Sequence, residues 1–351
     1  DKNSAAKIED SVDNDVTRIK WSDGLRNDLT RNKEHIITNG EWIKSQYRPF
    51  TAQWLYYSRQ LNERVYQMPQ IFPDGKTKNL VITVSGLGGR SGFSTLMTDQ
   101  IPDLGFNEAC QAFPLYLYEE RPAQKSNFTA SLLGGRTLGD GERYRRSSGI
   151  KAAALNRFRE HFADPTIDAE AIFYYIYGVL HAPDYRKKYA DNFTKELPRI
   201  PFAKSVKDFW EFVAAGRDLG GLHVHYESQP EFLAEVSGEN GLLDRHELYR
   251  VDRMRYFNKD NPSRIHYNDH IEVAGIPPQA YDYIVNGRPA IEWVMERQGR
   301  RVDKDTGIVN DANDYAVQTM GDPRYPLSLL LRVITVALET QKIVRKLPPQ
   351  V

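Results

Sequence analysis

The chain has 351 residues, enough for one large or two ordinary domains with a substantial hydrophobic core. Basic and acidic side chains number 47 each, so the formal net charge is zero and overall charge gives no indication of nucleic-acid binding. The single cysteine, Cys110, excludes an internal disulfide and favours the reducing cytoplasm, and the sequence shows no signal peptide or membrane-spanning run.

The first third of the chain changes from a polar segment to strand patterns. Residues 1–33 carry few large apolar side chains, and the chain starts without methionine, which predicts a linker or the tail of an upstream domain in a longer polypeptide. Residues 34–149 are predicted to form the β-rich part. Strand patterns occur at 35–57, 80–84 and 111–118, and a long loop is predicted at 125–149.

Residues 150–351 are predicted to form the helical part, with one short pair of strands. Helices are predicted at 151–163, 170–182, 206–219, 279–297 and 326–344; strands at 248–257 and 264–273; and a polar loop at 299–322. The fold class is therefore α+β, with a β-rich N-terminal half packed on a mainly helical C-terminal half.

The stretch 170–202 joins an apolar anchor to a basic segment. Phe173 and Tyr177 lie four residues apart in an aromatic run too short to cross a membrane, and both are expected to face the core of one helix. A break at Pro183 precedes the basic side chains of Arg186, Lys187 and Lys188. Composition alone also allows a plain core helix followed by a solvated one.

This stretch, together with short motifs along the chain, resembles the C-terminal specificity region of Type ISP restriction–modification enzymes. The motifs are YRPF at 47–50, NER at 62–64, YQMP at 66–69, FS at 93–94, TD at 98–99, IPD at 101–103, FPLYLY at 113–118, YNDH at 267–270, YIVNG at 283–287 and GIVND at 307–311. Their order along the chain carries the resemblance.

The resemblance implies a module that binds a short asymmetric DNA duplex. Enzymes of this family combine a nuclease, an ATP-dependent helicase-type motor, an N6-adenine methyltransferase and a target-recognition domain in one polypeptide. The chain is thus expected to present adenine to an upstream methyltransferase domain of the same polypeptide and to direct the motor and nuclease. S-adenosylmethionine, ATP and Mg are implied for the full-length enzyme, and no cofactor or catalytic activity is expected of this segment.

The chain contains only partial matches to catalytic motifs. Residues 84–91 follow a strand and almost form a dinucleotide-binding glycine loop, but Ser91 stands at the third glycine position. Pro277 and Pro278 lack the preceding acid or amide that an adenine methyltransferase uses, which favours a helix start. His223 and His225 lie two residues apart, as zinc ligands on a strand sometimes do, but no second ligand pair is visible, so structural roles and no metal site are predicted.

Two basic windows and one polar loop are the candidate DNA contacts. Residues 136–159 and 186–207 each have a net charge of plus five. The guanidinium group of arginine can donate two hydrogen bonds to guanine, whereas lysine more often contacts phosphates. The first window supplies Arg136, Arg143, Tyr144, Arg145 and Arg146; the second supplies Arg186, Lys187 and Lys188; the loop between Gly86 and Asp103 supplies Arg90, Ser91, Thr98 and Gln100.

Two other classes of function stay open at this point. One is a stand-alone nucleotide-binding enzyme or hydrolase that uses the loop from Gly86 to Arg90, and the other is a protein-docking module that makes no DNA contact. Sequence-specific duplex binding would separate both from the target-recognition hypothesis.

Overall fold

The structure is a computed structural model that describes residues 10–15, 18, 21–34, 40–87, 89–121, 143–240 and 243–349. The N-terminal part begins with a short helix and continues mainly as strands. Its elements are α1 Asp23–Thr30, β1 Glu41–Arg48, β2 Thr51–Tyr57, α2 Met68–Ile71, β3 Val81–Val84, β4 Thr95–Thr98, β5 Ile101–Pro102, β6 Gln111–Pro114, β7 Tyr116–Glu120 and β8 Tyr144–Ser148.

The C-terminal part is mainly helical and carries short strands. Its helices are α3 Ala152–Phe162, α4 Ala169–His181, α5 Pro183–Lys188, α6 Ala190–Phe193, α7 Val206–Val224, α8 Arg245–Tyr249, α9 Ala290–Arg297, α10 Ala312–Gln318 and α11 Tyr325–Val344, with 3-10 turns at Tyr226–Ser228 and Pro278–Tyr281. Its strands are β9 Glu235–Ser237, β10 Arg255–Asn258, β11 Asn261–His266, β12 Glu272–Ala274, β13 Ile284–Val285, β14 Arg288–Pro289, β15 Arg300–Val302 and β16 Val309–Asp311. The α+β prediction is confirmed.

The strands form small sheets instead of one large layer. Strands β2, β1 and β5 make one three-stranded sheet in that order, and β4, β3 and β6 make another. The order β10-β11-β12-β9 makes a four-stranded sheet, while β7 with β8, β13 with β14, and β15 with β16 pair as two-stranded ribbons. Every β3 side chain is buried, as its apolar run predicts.

Helix α4 is the buried anchor that the aromatic run predicts. Asp168 caps it by accepting a hydrogen bond from the backbone amide of Ala171, and Phe173 and Tyr177 are both buried. A Cβ atom at Gly216 of α7 would lie 1.9 Å from the carbonyl oxygen of Tyr174. Glycine at that position therefore lets the two helix backbones approach closely, which no other residue would allow without separating them.

Two hydrophobic cores join the strand and helix halves. In the first, Ile82 and Met97 from the strands pack with aromatic side chains of α4 and α7. In the second, Phe50 and Leu96 pack with the four-stranded sheet and with α11. Since each core takes residues from both halves, the β-rich half is packed on the helical half, as expected.

Four local predictions need correction. The loop prediction is wrong at 144–148, which forms β8; residues 125–142 lie outside the described part of the chain. The strand pair predicted at 248–257 and 264–273 is also shorter than expected. Its first member is limited to β10, since Asp244 caps the short helix α8 ahead of it, and its second member divides into the end of β11, a turn and β12. The helix predicted at 279–297 is a 3-10 turn, a hairpin and then α9, and the loop predicted at 299–322 contains β15, β16 and α10.

The hairpin inside the predicted helix has a recognisable cause. Asn286 and Gly287 connect β13 to β14 with positive φ angles of 48° and 74°. An Asn-Gly pair favours the two-residue turn that needs positive φ at both central residues, so the sequence does contain the signal for a hairpin.

No helix within the described ranges has the length and apolar character to cross a membrane.

Candidate nucleic-acid interface

The β7–β8 ribbon carries three arginines of the first basic window, Arg143, Arg145 and Arg146. Its strands pair antiparallel, with Glu119 opposite Arg145 and Tyr118 opposite Arg146. All of β8 after Tyr144 is exposed, so this strand is held by its pairing with β7 and not by burial of an apolar face. A ribbon of two antiparallel strands is one of the two elements that the major groove of B-DNA admits.

Each ribbon arginine has an identifiable partner. The guanidinium of Arg143 donates from Nε and Nη2 to Oε1 of Glu120 at 3.1 and 3.0 Å, and this bond raises the pKa of Arg143. Arg145 donates from Nη2 to Oε2 of Glu119 at 2.6 Å. Arg146 lies over the ring of Tyr116, 4.3 Å from its centroid. These contacts orient the three guanidinium groups and leave them accessible to solvent.

A cleft of about 730 Å³ lies beside the ribbon and adds residues that the sequence did not single out. Arg59 and Lys76 line it together with Arg143 and Tyr144. Glu119 and Glu120 also line it, so the cleft is mixed in charge. Arg59, Lys76, Glu119 and Glu120 come from separate segments of the chain, so only the folded structure shows that they share this cleft. Arg136, the other arginine of this window that was predicted to contact DNA, lies outside the described residues.

The second basic segment divides into one partly buried side chain and two exposed ones. Arg186 donates from Nε to the carbonyl oxygen of Leu180 at 2.7 Å and lies over the ring of Phe93, and burial lowers its pKa. Lys187 and Lys188 are exposed in the last turn of α5. The lysines are therefore the accessible charges of this segment, while Arg186 also holds the fold together.

The polar loop that follows β3 packs against the second basic segment. Phe93 stacks on Phe193 with ring centroids 4.1 Å apart and also contacts Arg186. Arg90 and Ser91 are exposed within this loop. Thr98 and Gln100 do not belong to it, because β4 and β5 interrupt the loop predicted between Gly86 and Asp103 and place these two residues at the other end of β4. Thr98 is buried, and its hydroxyl accepts a hydrogen bond from the backbone amide of the half-buried Gln100. The structure thus brings the loop and α5 together, and Thr98 is the least accessible of the candidates that the structure describes.

The same loop does not have the features of a nucleotide-binding loop. The backbone amides of Arg90 and Ser91 both donate to the carboxylate of Glu108, at 2.8 and 2.9 Å. Although burial opposes the effect, these bonds lower the pKa of Glu108, so a carboxylate already occupies the donors that a phosphate would need. Strand β4 follows the loop where a phosphate-binding loop would lead into a helix.

The two histidines weighed as metal ligands lie at the end of helix α7 and not on a strand face. His223 is buried in α7, where it bonds the hydroxyl of Tyr177 through Nδ1 and that of Thr340 through Nε2, and His225 follows the last turn. Across the part of the chain that the structure describes, no group of three or more His, Cys, Asp or Glu side chains has the arrangement of a metal site.

A family model covers most of the chain. The model of the Type ISP C-terminal specificity domain matches residues 1–329. No curated protein sequence matches the chain.

Three solved structures are similar over essentially the whole chain. The ATP-dependent Type ISP restriction–modification enzyme LlaBIII bound to DNA is 30% identical with a TM-score of 0.80, and covers 100% of this chain. A nuclease-deletion mutant of the Type ISP enzyme LlaGI in complex with a DNA substrate mimic is 32% identical with a TM-score of 0.76, and the DrdV–DNA complex is 31% identical with a TM-score of 0.77; each covers 99% of this chain. The chain spans 21%, 25% and 32% of those three chains, respectively.

Proposed function

The chain belongs to the Type ISP C-terminal specificity domain family, and on that premise we propose that it is a DNA target-recognition domain. It would bind a short asymmetric duplex and select it by sequence. The observation that carries this proposal is the exposed β7–β8 ribbon with its arginines. A two-stranded ribbon fits the major groove, and arginine side chains can donate two hydrogen bonds to guanine there.

Some candidate residues would contact bases, and others would contact phosphates. Arg145 lies on one face of the ribbon and Tyr144 and Arg146 on the other, so one of these faces, with Arg143 at the end of the ribbon, would enter the major groove and contact base edges. Lys187 and Lys188 would contact phosphates and fix the position of the duplex, as lysines commonly do. The loop residues Arg90 and Ser91 would extend the contact surface next to Arg186. Gln100, at the other end of β4, would make a separate contact, and buried Thr98 would support its turn.

The proposal extends to the longer polypeptide that this family implies. The recognised site would present its adenine to an upstream N6-adenine methyltransferase domain, and the same recognition would direct an ATP-dependent motor and a nuclease. S-adenosylmethionine, ATP and Mg would be bound by those other domains, not by this segment. Such an enzyme would act on duplex DNA in the cytoplasm.

Selection of binding sites from random duplexes tests the proposal. The 351-residue chain, and a longer polypeptide that includes it, should enrich one asymmetric sequence. Affinity should fall steeply with salt, because each neutralised phosphate releases counterions. Enrichment of no sequence by either protein, or binding that is indifferent to salt, would refute a DNA-recognition role.

A protein-docking role has one observation in its favour. Trp42 and Trp54 are both exposed on the face of β1 and β2 that also carries Tyr56, which packs against Trp42 at a ring-centroid distance of 5.3 Å. Exposed tryptophans are typical of protein contact sites. If this face docks the upstream methyltransferase domain, Trp42→Ala should weaken association with that domain and leave duplex binding by the isolated chain unchanged.

A further inference from the structure

The ribbon carries carboxylates in a place where a simple phosphate-binding surface would have none. Across 116–120 and 143–148, Glu119 and Glu120 offset two of the three arginines, which leaves a net charge of plus one. A carboxylate facing DNA repels the phosphate backbone, so these two side chains reduce the sequence-independent part of the affinity.

Fold stability gives little reason for these two ion pairs. The side chains of Arg143 and Glu120 are both 64% exposed, and those of Arg145 and Glu119 are 69% and 61% exposed. Pairs this accessible to water stabilise a fold only slightly. High exposure also means that all four side chains can reach an approaching duplex without any unfolding of the ribbon.

The chemistry of the pair matches one base pair in particular. Arginine donates two hydrogen bonds to O6 and N7 of guanine, while glutamate accepts one from the N4 amino group of cytosine. Arg145 and Glu119 are directly opposite each other across the ribbon, and their 2.6 Å contact places a forked donor beside an acceptor. The two side chains therefore present the donor–acceptor set that a G·C pair requires in the major groove.

We propose that Glu119 and Glu120 are specificity-determining residues. In this account, which rests on the proposed function of the ribbon, each carboxylate orients its arginine for guanine and accepts from cytosine. The same carboxylate penalises the alternative in which that arginine contacts a phosphate. The ribbon would thus have low affinity for random duplex and a preference for G·C at the positions it contacts.

The test uses Glu119→Gln and Glu120→Gln in the full chain. Glutamine keeps nearly the same size but removes the charge, so each arginine becomes free to neutralise a phosphate. Affinity for random duplex should rise, with a salt slope steeper by about one. The ratio of target to random affinity should fall about tenfold, with the preference for G·C lost at one position.

Matched variants separate charge from general disturbance. Glu119→Asp keeps the charge and should retain most of the ratio. Glu339→Gln removes a carboxylate from an exposed ion pair with Lys342 on α11 and should leave both affinities unchanged. If the wild-type chain is sequence-specific but the ratio and base preferences are the same in Glu119→Gln and Glu120→Gln, the inference is overturned while the proposed function stands. If the wild-type chain shows no sequence preference, both fail.

Discussion

Replacing Phe173 by alanine should destabilise the fold strongly, because it removes a buried ring from α4. The ring is 2% exposed and lies in the core that joins the strands to the helices. A phenylalanine buries about 150–250 Å², which at about 25 cal/mol per Å² corresponds to roughly 4–6 kcal/mol. Unfolded chains already bury part of this area, so the expected loss is about 3–5 kcal/mol in the free energy of unfolding.

Urea unfolding followed by circular dichroism measures this loss as a shift of the midpoint at unchanged slope. Phe257→Ala is the matched control, since the ring of Phe257 is 57% exposed and its removal should cost far less. Equal midpoints for Phe173→Ala and Phe257→Ala would show that α4 is peripheral, and the description of α4 as the anchor of the fold would be wrong.

Two further predictions concern charge. Lys187→Ala and Lys188→Ala should each weaken target and random duplex by the same factor and lower the salt slope by about one; a loss confined to the target would show base contact instead. Burial, and then the nearby charge of Arg186, lowers the pKa of His223 to about 3, so its neutral form is favoured by folding. The unfolded chain binds that proton first as pH falls, so His223 alone should lower stability by about 1.4 kcal/mol per pH unit from roughly 6.5 down to about 3, in addition to the contribution of His181, whose pKa is also lowered by burial. His223→Asn should reduce the slope by about that amount in urea titrations at several pH values, and an unchanged slope would contradict the assignment.

Elements with strong local signals could be predicted from the sequence. Three elements have such signals: the apolar run of β3, the aromatic run of α4 and the apolar stripe of α11. In each of them, the pattern of apolar residues within the element is enough to predict that it is buried. Strand β8 could not be predicted in this way, because its arginines and serines show no apolar alternation and only pairing with β7 makes it a strand. The Asn286-Gly287 turn did have a local signal for a hairpin. The prolines at 277 and 278 favour a helix start, however, and the helix prediction followed them.

The same distinction applies to the candidate interface. The basic windows were visible as charge, but the partners of their arginines were not. Glu119 and Glu120 lie more than twenty residues from Arg145 and Arg143, and only the strand register brings each pair together. The contact of Arg186 with Phe93 likewise depends on tertiary packing, since the two residues come from different halves of the chain.

The most direct test of the central claim is a competition assay with every single-base variant of the selected site. Arg143→Ala, Arg145→Ala and Arg146→Ala are compared with the wild-type chain. At least one of the three should lose roughly 1–3 kcal/mol on the target and accept other bases at one position. If all three weaken every duplex by the same factor, the ribbon contacts only the backbone, and the claim that it reads sequence is contradicted.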